Sequence, residues 1–440
     1  MLQSAGGRSR RVVAASFLLA ILALPARGGD WKFNKDISIS NKPAEFHIDL
    51  KGYVQWDFRD FGSKFDKVDP LLLNPTSELP RRLRIGVEGE WKKLGFEIDF
   101  DPHDTCWIFE DPCVGLPEHL KNAFLEYHFS KGVNLRAGNM KLPISNELMT
   151  SEGKVDLIER AMAPSRLGPG RDWGLEIYGT VHKKQLTYML GVFAGDGRAN
   201  IESAGTTGAA RLVYTPIKGL DFAGSITRGD VSAEAESANN FSPDALSPNG
   251  KGPSGYNFFP RKFVNGHRTR YGFDGAYIRG PFALKAEYIE NREQRLGQGS
   301  TCHPSGAAVV CNDLPDVFGR GWYATATWLV TGDKKTRTIK PKKPLFNGIG
   351  AVELALRYEN LHFDDAGPNT GFAGAGNRAS NIRPAGDRVF TAGVSWWPTQ
   401  WARVVGNASW EHFEDPLTAP ISGTPGGYVT LVGRLQLLVP

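Results

Sequence analysis

The sequence predicts an all-β fold: a transmembrane antiparallel β-barrel of sixteen strands, with short periplasmic turns and long extracellular loops. Three observations carry that expectation. From residue 46 onward, apolar and polar residues alternate over short segments, the period of a strand whose successive side chains point to opposite faces. The connections between these segments are short and long by turns, which puts tight turns on one rim and long loops on the other. The chain opens on Arg8, Arg10 and Arg11, then the uncharged apolar run 12–24, then small residues at Ala26, Gly28 and Gly29, the layout of an export signal. That run is about 13 residues long, against roughly 20 for a membrane-spanning helix. Residues 1–28 are therefore assigned to a signal peptide, 29–45 to a short periplasmic lead and 46–440 to the barrel.

The first strand shows the alternation best. Phe46, Ile48, Leu50, Val54, Trp56 and Phe58 share one face; His47, Asp49, Lys51, Tyr53, Gln55, Asp57 and Arg59 share the other. The second strand lies near 82–91, with Leu83, Ile85, Val87 and Trp91 outward. The third places Phe96, Ile98 and Phe100 outward. Strands four to fifteen form pairs around 130–132, 182–184, 216–219, 279–281, 331–350 and 398–399. The last strand, 428–439, shows Val429, Leu431, Leu435, Leu437 and Val439 on one face. The total is even, as bacterial barrels of this kind require. Every connection after an odd strand is long: 60–81, 102–119, 140–172, 195–207, 229–268, 292–319, 361–386 and 413–427. The one long connection after an even strand, 331–350, carries Lys334, Lys335, Arg337, Lys340, Lys342 and Lys343, and parity places it in the periplasm.

Charge and cysteine content narrow the partners. The formal charge of +5 falls to +2 on cleavage after Ala26 and to +1 after Gly28, so the mature chain offers no bulk argument for nucleic acid. The four cysteines form two local pairs, Cys106 with Cys113 and Cys302 with Cys311, both in long loops. Export permits disulfides, and short loop closure favours local pairing. The nine histidines form no cluster in sequence, and no Gly-x-Ser-x-Gly or His-Glu-x-x-His motif occurs, so neither an enzyme, a metal nor a cofactor is expected. The Trp396-Trp397 pair fits a membrane-interface girdle.

The third long loop differs from the others. Leu142, Ile144, Leu148, Met149, Val155, Leu157 and Ile158 are interleaved with Lys141, Lys154, Arg160, Arg166 and Arg171. A loop in open solvent has little use for so much apolar content; one folded into a barrel meets both wall and water. Its five cations face five acids, Glu147, Glu152, Asp156, Glu159 and Asp172, so each cation has two readings: a group that attracts anions in a narrow lumen, or a partner of a nearby carboxylate. The inward faces of the strands are also mixed. Lys51, Arg59, Arg84, Arg136, Arg211, Arg228, Arg270, Lys285, Arg357, Arg403 and Arg434 are set there beside Asp49, Asp57, Glu88, Glu90, Glu126, Glu176, Glu353 and Glu411.

Several stretches in order resemble one family. Ala137-Gly138-Asn139-Met140-Lys141-Leu142-Pro143 is similar to its Gly-x-x-Lys-x-Pro entry to the third loop, and Ile158-Glu159-Arg160-Ala161 to its Glu-Arg segment. Gly321-Trp322-Tyr323 leading to Thr331-Gly332-Asp333, then Gly350-Ala351-Val352-Glu353-Leu354 and Ser395-Trp396-Trp397-Pro398, continue the likeness. The chain thus resembles the phosphate-selective porin O and P family. The resemblance implies a trimeric barrel with an inward third loop, in the outer membrane of a Gram-negative cell and in contact with its lipid. It implies passage of small anions of the phosphate or polyphosphate class. Carried over, Lys141, Ser151, Lys154 and Arg160 become constriction or anion-binding candidates, and Arg166 and Arg136 join them as cations of the same loop and of the facing wall. The alternative is a general porin of the same fold, or one for another substrate, without phosphate selectivity.

Overall fold

The computed structural model describes residues 31–34, 37–41, 43, 45–102, 120–195, 205–231, 246–299, 302–305, 308–365 and 382–439. Among them sixteen antiparallel strands close into a barrel. They are β1 (Phe46–Phe61), β2 (Ser77–Trp91), β3 (Leu94–Phe100), β4 (Leu120–His128), β5 (Asn134–Lys141), β6 (Arg171–Val181), β7 (Leu186–Phe193) and β8 (Thr207–Ile217). The second half comprises β9 (Leu220–Val231), β10 (Gly266–Arg279), β11 (Phe282–Arg295), β12 (Leu314–Leu329), β13 (Ala351–Asp365), β14 (Ala385–Thr399), β15 (Ala402–Phe413) and β16 (Gly426–Val439). Each strand pairs with the next, and β16 pairs with β1, with Arg434 opposite Asp57. Closure leaves every wall strand paired on both sides, which a bilayer demands because lipid offers nothing to an unpaired amide. No described helix is long and apolar enough to span a membrane; the strands do it.

The two faces of the cylinder follow the alternation. Outward positions expose large apolar groups, among them Phe58, Ile85, Leu175, Val192, Phe273 and Leu356. Inward positions bury polar ones: Gln55 and Asp57 on β1, Arg357 on β13, Arg403 on β15 and Arg434 on β16. Two expectations are corrected. Arg228 lies on the outward face of β9 with Phe222 and Ile226, while Ser225 and Thr227 point inward. It sits near the extracellular end of its strand, where a long side chain can carry its charge to the membrane surface. Trp396 does face lipid, but Trp397 points inward, buried with Leu329, Ile339 and Ala351.

The lead holds a small hairpin, Trp31–Asn34 with Ser38–Asn41, whose second strand pairs with the start of β1. It covers the stretch of β1 that β16 does not reach: Ser38 lies opposite Asp49, whereas Val439 stops opposite Gly52. The segment expected to be a signal peptide, 1–28, lies outside the described residues. So do Cys106 and Cys113, and with them the disulfide expected between these two in the second long loop. The other expected pair is described: Cys302 and Cys311 occupy directly opposed positions of a short loop hairpin, Cys302–Ser305 with Ala308–Cys311.

The extracellular half of the barrel is filled on one side. Phe65 and Val68 of the first loop, Met162 and Leu167 of the third, and Phe258, Phe259 and Val264 of the fifth pack onto Leu361, Phe363, Val389, Phe413 and Tyr428 of the wall. Phe259 stacks on Phe363 with ring centroids 4.4 Å apart. These loops bury an apolar core inside the cylinder, against the inner face of β11–β16; on the β2–β6 side inward polar residues such as Glu97, Asn122, Glu126 and Arg136 stay partly accessible.

Candidate functional site

The third loop, 142–170, crosses the interior. It holds two short helices, α1 (Asn146–Met149) and α2 (Met162–Leu167). Ser145 caps α1, its hydroxyl accepting from the Leu148 amide at 3.1 Å. Glu287 of β11 accepts from the Glu147 amide at 2.7 Å and from the Ser145 hydroxyl, which docks this first turn on the wall. The rest of the loop is irregular, so its carbonyls need partners from elsewhere.

Wall arginines supply those partners. Arg211 donates to the Ile144 carbonyl at 3.1 Å and Arg270 to that of Leu167 at 2.8 Å. Arg357 donates to the Glu159 carbonyl at 3.0 Å and Arg434 to that of Ile158 at 2.6 Å. Arg403 reaches both Val155 and Asp156, at 2.7 and 2.6 Å. The guanidinium's several donors suit this task. Where the loop comes closest, the wall has no side chain: a Cβ on Gly272 would lie 2.8 Å from the Ile144 carbonyl oxygen, and one on Gly319 would lie 2.8 Å from the Leu167 side chain. Lys285 of β11 and Lys335 of the long periplasmic turn both pair with Asp156, at 2.7 and 2.8 Å. The turn therefore folds up into the lumen and is not merely a solvated hairpin.

Facing the water-filled side, a second set of arginines meets two loop carboxylates. Around Glu152 stand Arg160 at 2.7 Å, Arg82 at 3.1 Å and Arg84 at 3.3 Å. Around Glu159 stand Arg434 at 3.0 Å, Arg59 at 3.4 Å, Arg82 at 3.5 Å and Arg81 at 3.9 Å. Burial pushes the Glu152 carboxyl up, but Arg82, Arg160, Arg84 and Arg171 outweigh it and hold its pKa well below the usual carboxylate range. Glu159 behaves alike: burial raises it, and Arg82, Arg434, Arg81 and Arg59 bring it down further. Six arginines thus share two loop carboxylates, with Asp57 and Asp101 of the wall as further partners. The sum is positive. Several of these groups are only partly covered, Arg81 keeping 26% of its side chain accessible and Arg82 18%. Inside a closed barrel that surface faces the lumen.

The sequence-predicted residues fall in different places. Arg160 belongs to the arginine group, yet its other donors are spent on the carbonyls of Glu147 and Thr150, at 3.1 and 2.6 Å. Lys141 donates to the Thr150 carbonyl at 3.0 Å and to that of Leu148, and so braces the loop's entry. Ser151 starts the single turn Glu152–Lys154, and its carbonyl accepts from the Lys154 amide at 2.8 Å. Lys154 is exposed and points toward the periplasmic side, in the field of Glu88, Lys51 and Arg337; burial and the cations pull its pKa down from the ordinary lysine value. Arg166 donates to the Lys251 carbonyl at 3.2 Å, joining the third loop to the fifth. Arg136 lies apart on β5, paired with Glu126 at 2.9 Å and sandwiched between the Phe124 and Tyr178 rings at 4.4 and 4.6 Å.

Sequence reasoning missed Arg81 and Arg82. The pairing of β1 with β2 shifts register between Gln55 and Asp57, which face Arg82 and Glu78, so extra residues bulge on β2. A bulge breaks alternation, and here it lets two successive arginines reach the same carboxylate. The Pro80-Arg81-Arg82 run was the available signal, since proline inside a strand pattern marks such a break.

The comparisons with known proteins bear on this site. The family model described as phosphate-selective porin O and P matches residues 48–420. The chain belongs to this family. Porin O of Pseudomonas aeruginosa is 26% identical over 100 residues, 22% of this chain and 20% of that one. An uncharacterized protein of Aquifex aeolicus is 25% identical over 324 residues, 65% of this chain and 66% of that one. The porin thus spans slightly less than two thirds of one curated relative and a fifth of the other. Among solved structures, a loop-deletion mutant of the outer membrane protein OmpT of Vibrio cholerae has a TM-score of 0.54 at 11% identity, over 90% of this chain and 99% of that one. An anion-selective porin from Comamonas acidovorans has a TM-score of 0.51 at 12% identity, over 90% of this chain and all of the other. At such identities the likeness shows the fold alone, a β-barrel; membership of the family is what places the porin in the outer membrane.

Proposed function

We propose that this porin is a passive channel for small anions, phosphate or polyphosphate among them, and that it performs no catalysis. The observation that carries the reading is the net positive group around Glu152 and Glu159: Arg81, Arg82 and Arg160 keep accessible surface there, with the buried Arg59, Arg84 and Arg434 behind them. Cations beside low-dielectric walls raise the local concentration of anions, and guanidinium forks match phosphate oxygens in geometry. The two carboxylates preset the arginines without cancelling them, so a passing anion exchanges water for donors already oriented. Lys141, Ser151, Lys154, Arg166 and Arg136 then act around this group by shaping the loop and the approaches to it.

A second reading keeps the fold and drops phosphate preference. It is favoured by the acids on the periplasmic side, where Lys51 is shared among Glu88, Glu97 and Asp99. We further propose a homotrimer. On the outer face, Ala392, Gly406, Ala408 and Gly433 form a shallow hollow between Phe58, Val394 and Leu431, a shape that lets a neighbouring barrel approach closely.

Planar-bilayer recording tests the whole reading. In a potassium chloride gradient the zero-current potential should take the sign of chloride permeation, and added phosphate should reduce the chloride current. Cation selectivity would overturn the anion channel. Chloride preference with no effect of phosphate would leave the second reading standing.

A further inference from the structure

The long periplasmic turn between β12 and β13 divides into two halves with opposite destinations. The inner half folds under the lumen, through Lys335 on Asp156 and the buried Ile339. The outer half, 342–350, returns over the rim. Leu345 donates its amide to the Pro398 carbonyl at 2.8 Å, and Gly350 donates to that of Lys343 at 3.0 Å. The indole of Trp396, a lipid-facing side chain, donates to the Ile349 carbonyl at 2.7 Å. These bonds fix the outer half against the outside of β14 at its periplasmic end.

What that half presents is apolar. Phe346 is 96% exposed and Ile349 67%, with Leu345 also exposed beside them. Phe346 has φ +78°, a left-handed conformation that a bulky residue adopts only where something is gained by it. Lys340 and Lys343 are exposed in the same turn. The patch continues the lipid-facing band: Trp396 adjoins it, and around the same rim Phe282 stacks on Trp328 with centroids 5.9 Å apart. An aromatic and two aliphatic residues flanked by lysines, at the level where a barrel meets headgroups, match an interfacial anchor in both hydrophobicity and charge.

We propose that Leu345–Ile349 is a membrane anchor: Phe346 and Ile349 enter the phospholipid leaflet that faces the periplasm, and Lys340 and Lys343 lie on its phosphate groups. The anchor would hold the outer end of the turn while Lys335 braces the third loop from below, linking the loop mechanically to the lipid.

Spin labelling at F346C tests it, in the full-length porin reconstituted in phosphatidylethanolamine vesicles containing phosphatidylglycerol, with the unsubstituted porin as the labelling control. The label should collide several-fold more with oxygen than with a water-soluble nickel chelate. Preference for the nickel chelate would place position 346 in water and overturn the proposal. Protection from both would mean that another protein surface, a neighbouring copy included, covers the patch, and would overturn it equally. A second variant, K340Q with K343Q, keeps the fold and should weaken the dependence of label depth on phosphatidylglycerol; unchanged dependence would remove the lysines from the anchor.

Discussion

Two groups of arginines line one lumen and do opposite work. Arg211, Arg270, Arg357 and Arg403 sit on the wall that the third loop covers, are almost fully buried, and give donors to the loop's carbonyls. Arg81, Arg82 and Arg160 sit where the loop turns its other edge to water, share carboxylates and keep part of their surface. Arg434 belongs to both, holding the Ile158 carbonyl and Glu159 together. Residue type alone therefore does not name a selectivity residue in such a barrel. What separates the groups is exposure, not the kind of acceptor: Arg211 and Arg357 also pair with carboxylates, Asp274 and Glu147, but these pairs are buried with the loop over them, whereas the pairs of Arg81, Arg82 and Arg160 leave guanidinium surface for the proposed anion.

The comparison is strained hardest at Arg434. Its removal leaves Asp57, wholly buried, without the two-pronged partner that holds it at 2.6 and 2.7 Å, and frees the loop at Ile158. Breaking a buried pair on one side costs about 3–5 kcal/mol. R434A should accordingly unfold at lower urea in micelles and, if the loop loosens, show larger and noisier conductance. Unchanged stability would mean the covered wall contributes no bracing. Next in size, R82E with R84E replaces two cations around Glu152 by acids. Anion preference should fall several-fold or invert, read as the zero-current potential. An unmoved potential would put the selective region elsewhere in the lumen.

Smaller effects attend the carboxylates. E152Q removes one negative charge from among Arg82, Arg84, Arg160 and Arg171, and anion preference should rise modestly. Acid offers the same test without mutation. Glu152 and Glu159 have pKa values lowered in the folded chain, so their contribution is complete above the unfolded carboxyl value of about 4.3 and is lost only as pH falls through the folded values below it. The part of selectivity and stability that rests on Glu152 and Glu159 should stay flat from neutral pH down to about 4.3. A transition above that value that disappears in E152Q would show that Glu152 titrates higher than its arginines should allow.

The wall of this molecule was legible in the sequence, its interior only in part. Alternation marked all sixteen strands because each spans lipid on one side and water on the other, and that contrast repeats every second residue. It also pointed to Arg59, Arg84, Arg357, Arg403 and Arg434 as inward. It went astray where local geometry departs from a straight ladder. The bulge before Arg82 hid the Arg81-Arg82 pair, Arg228 emerges on the outer face near a strand end, and Trp397 turns inward beside its lipid-facing neighbour. The division of the arginines was not legible at all. Which of them meets a carbonyl depends on the path of an aperiodic loop, and that path is set by contacts as distant in sequence as Arg403 to Val155. Equal numbers of acids and cations in the loop left each pairing open until the geometry supplied the acceptor.

Lys154 gives the finest division between the two groups. It lies on the third loop just before Asp156 and Leu157, which are buried, but its own side chain is exposed toward the periplasmic side. There Glu88 attracts it while Lys51 and Arg337 repel it, so the local field is mixed. Reversing its charge acts on that mixture and not on the arginine group. K154E should shift the zero-current potential less than R82E with R84E does, and in the same direction, and should leave stability unchanged because its exposed side chain is not among the groups that brace the loop on the wall. The shift should also depend more on salt than the arginine effect, since an exposed charge is screened within about 8 Å at physiological ionic strength while half-buried ones are shielded less. A shift as large as that of the arginine variant would move the controlling field to the periplasmic end and end the distinction between covered and watery sides as the basis of selection.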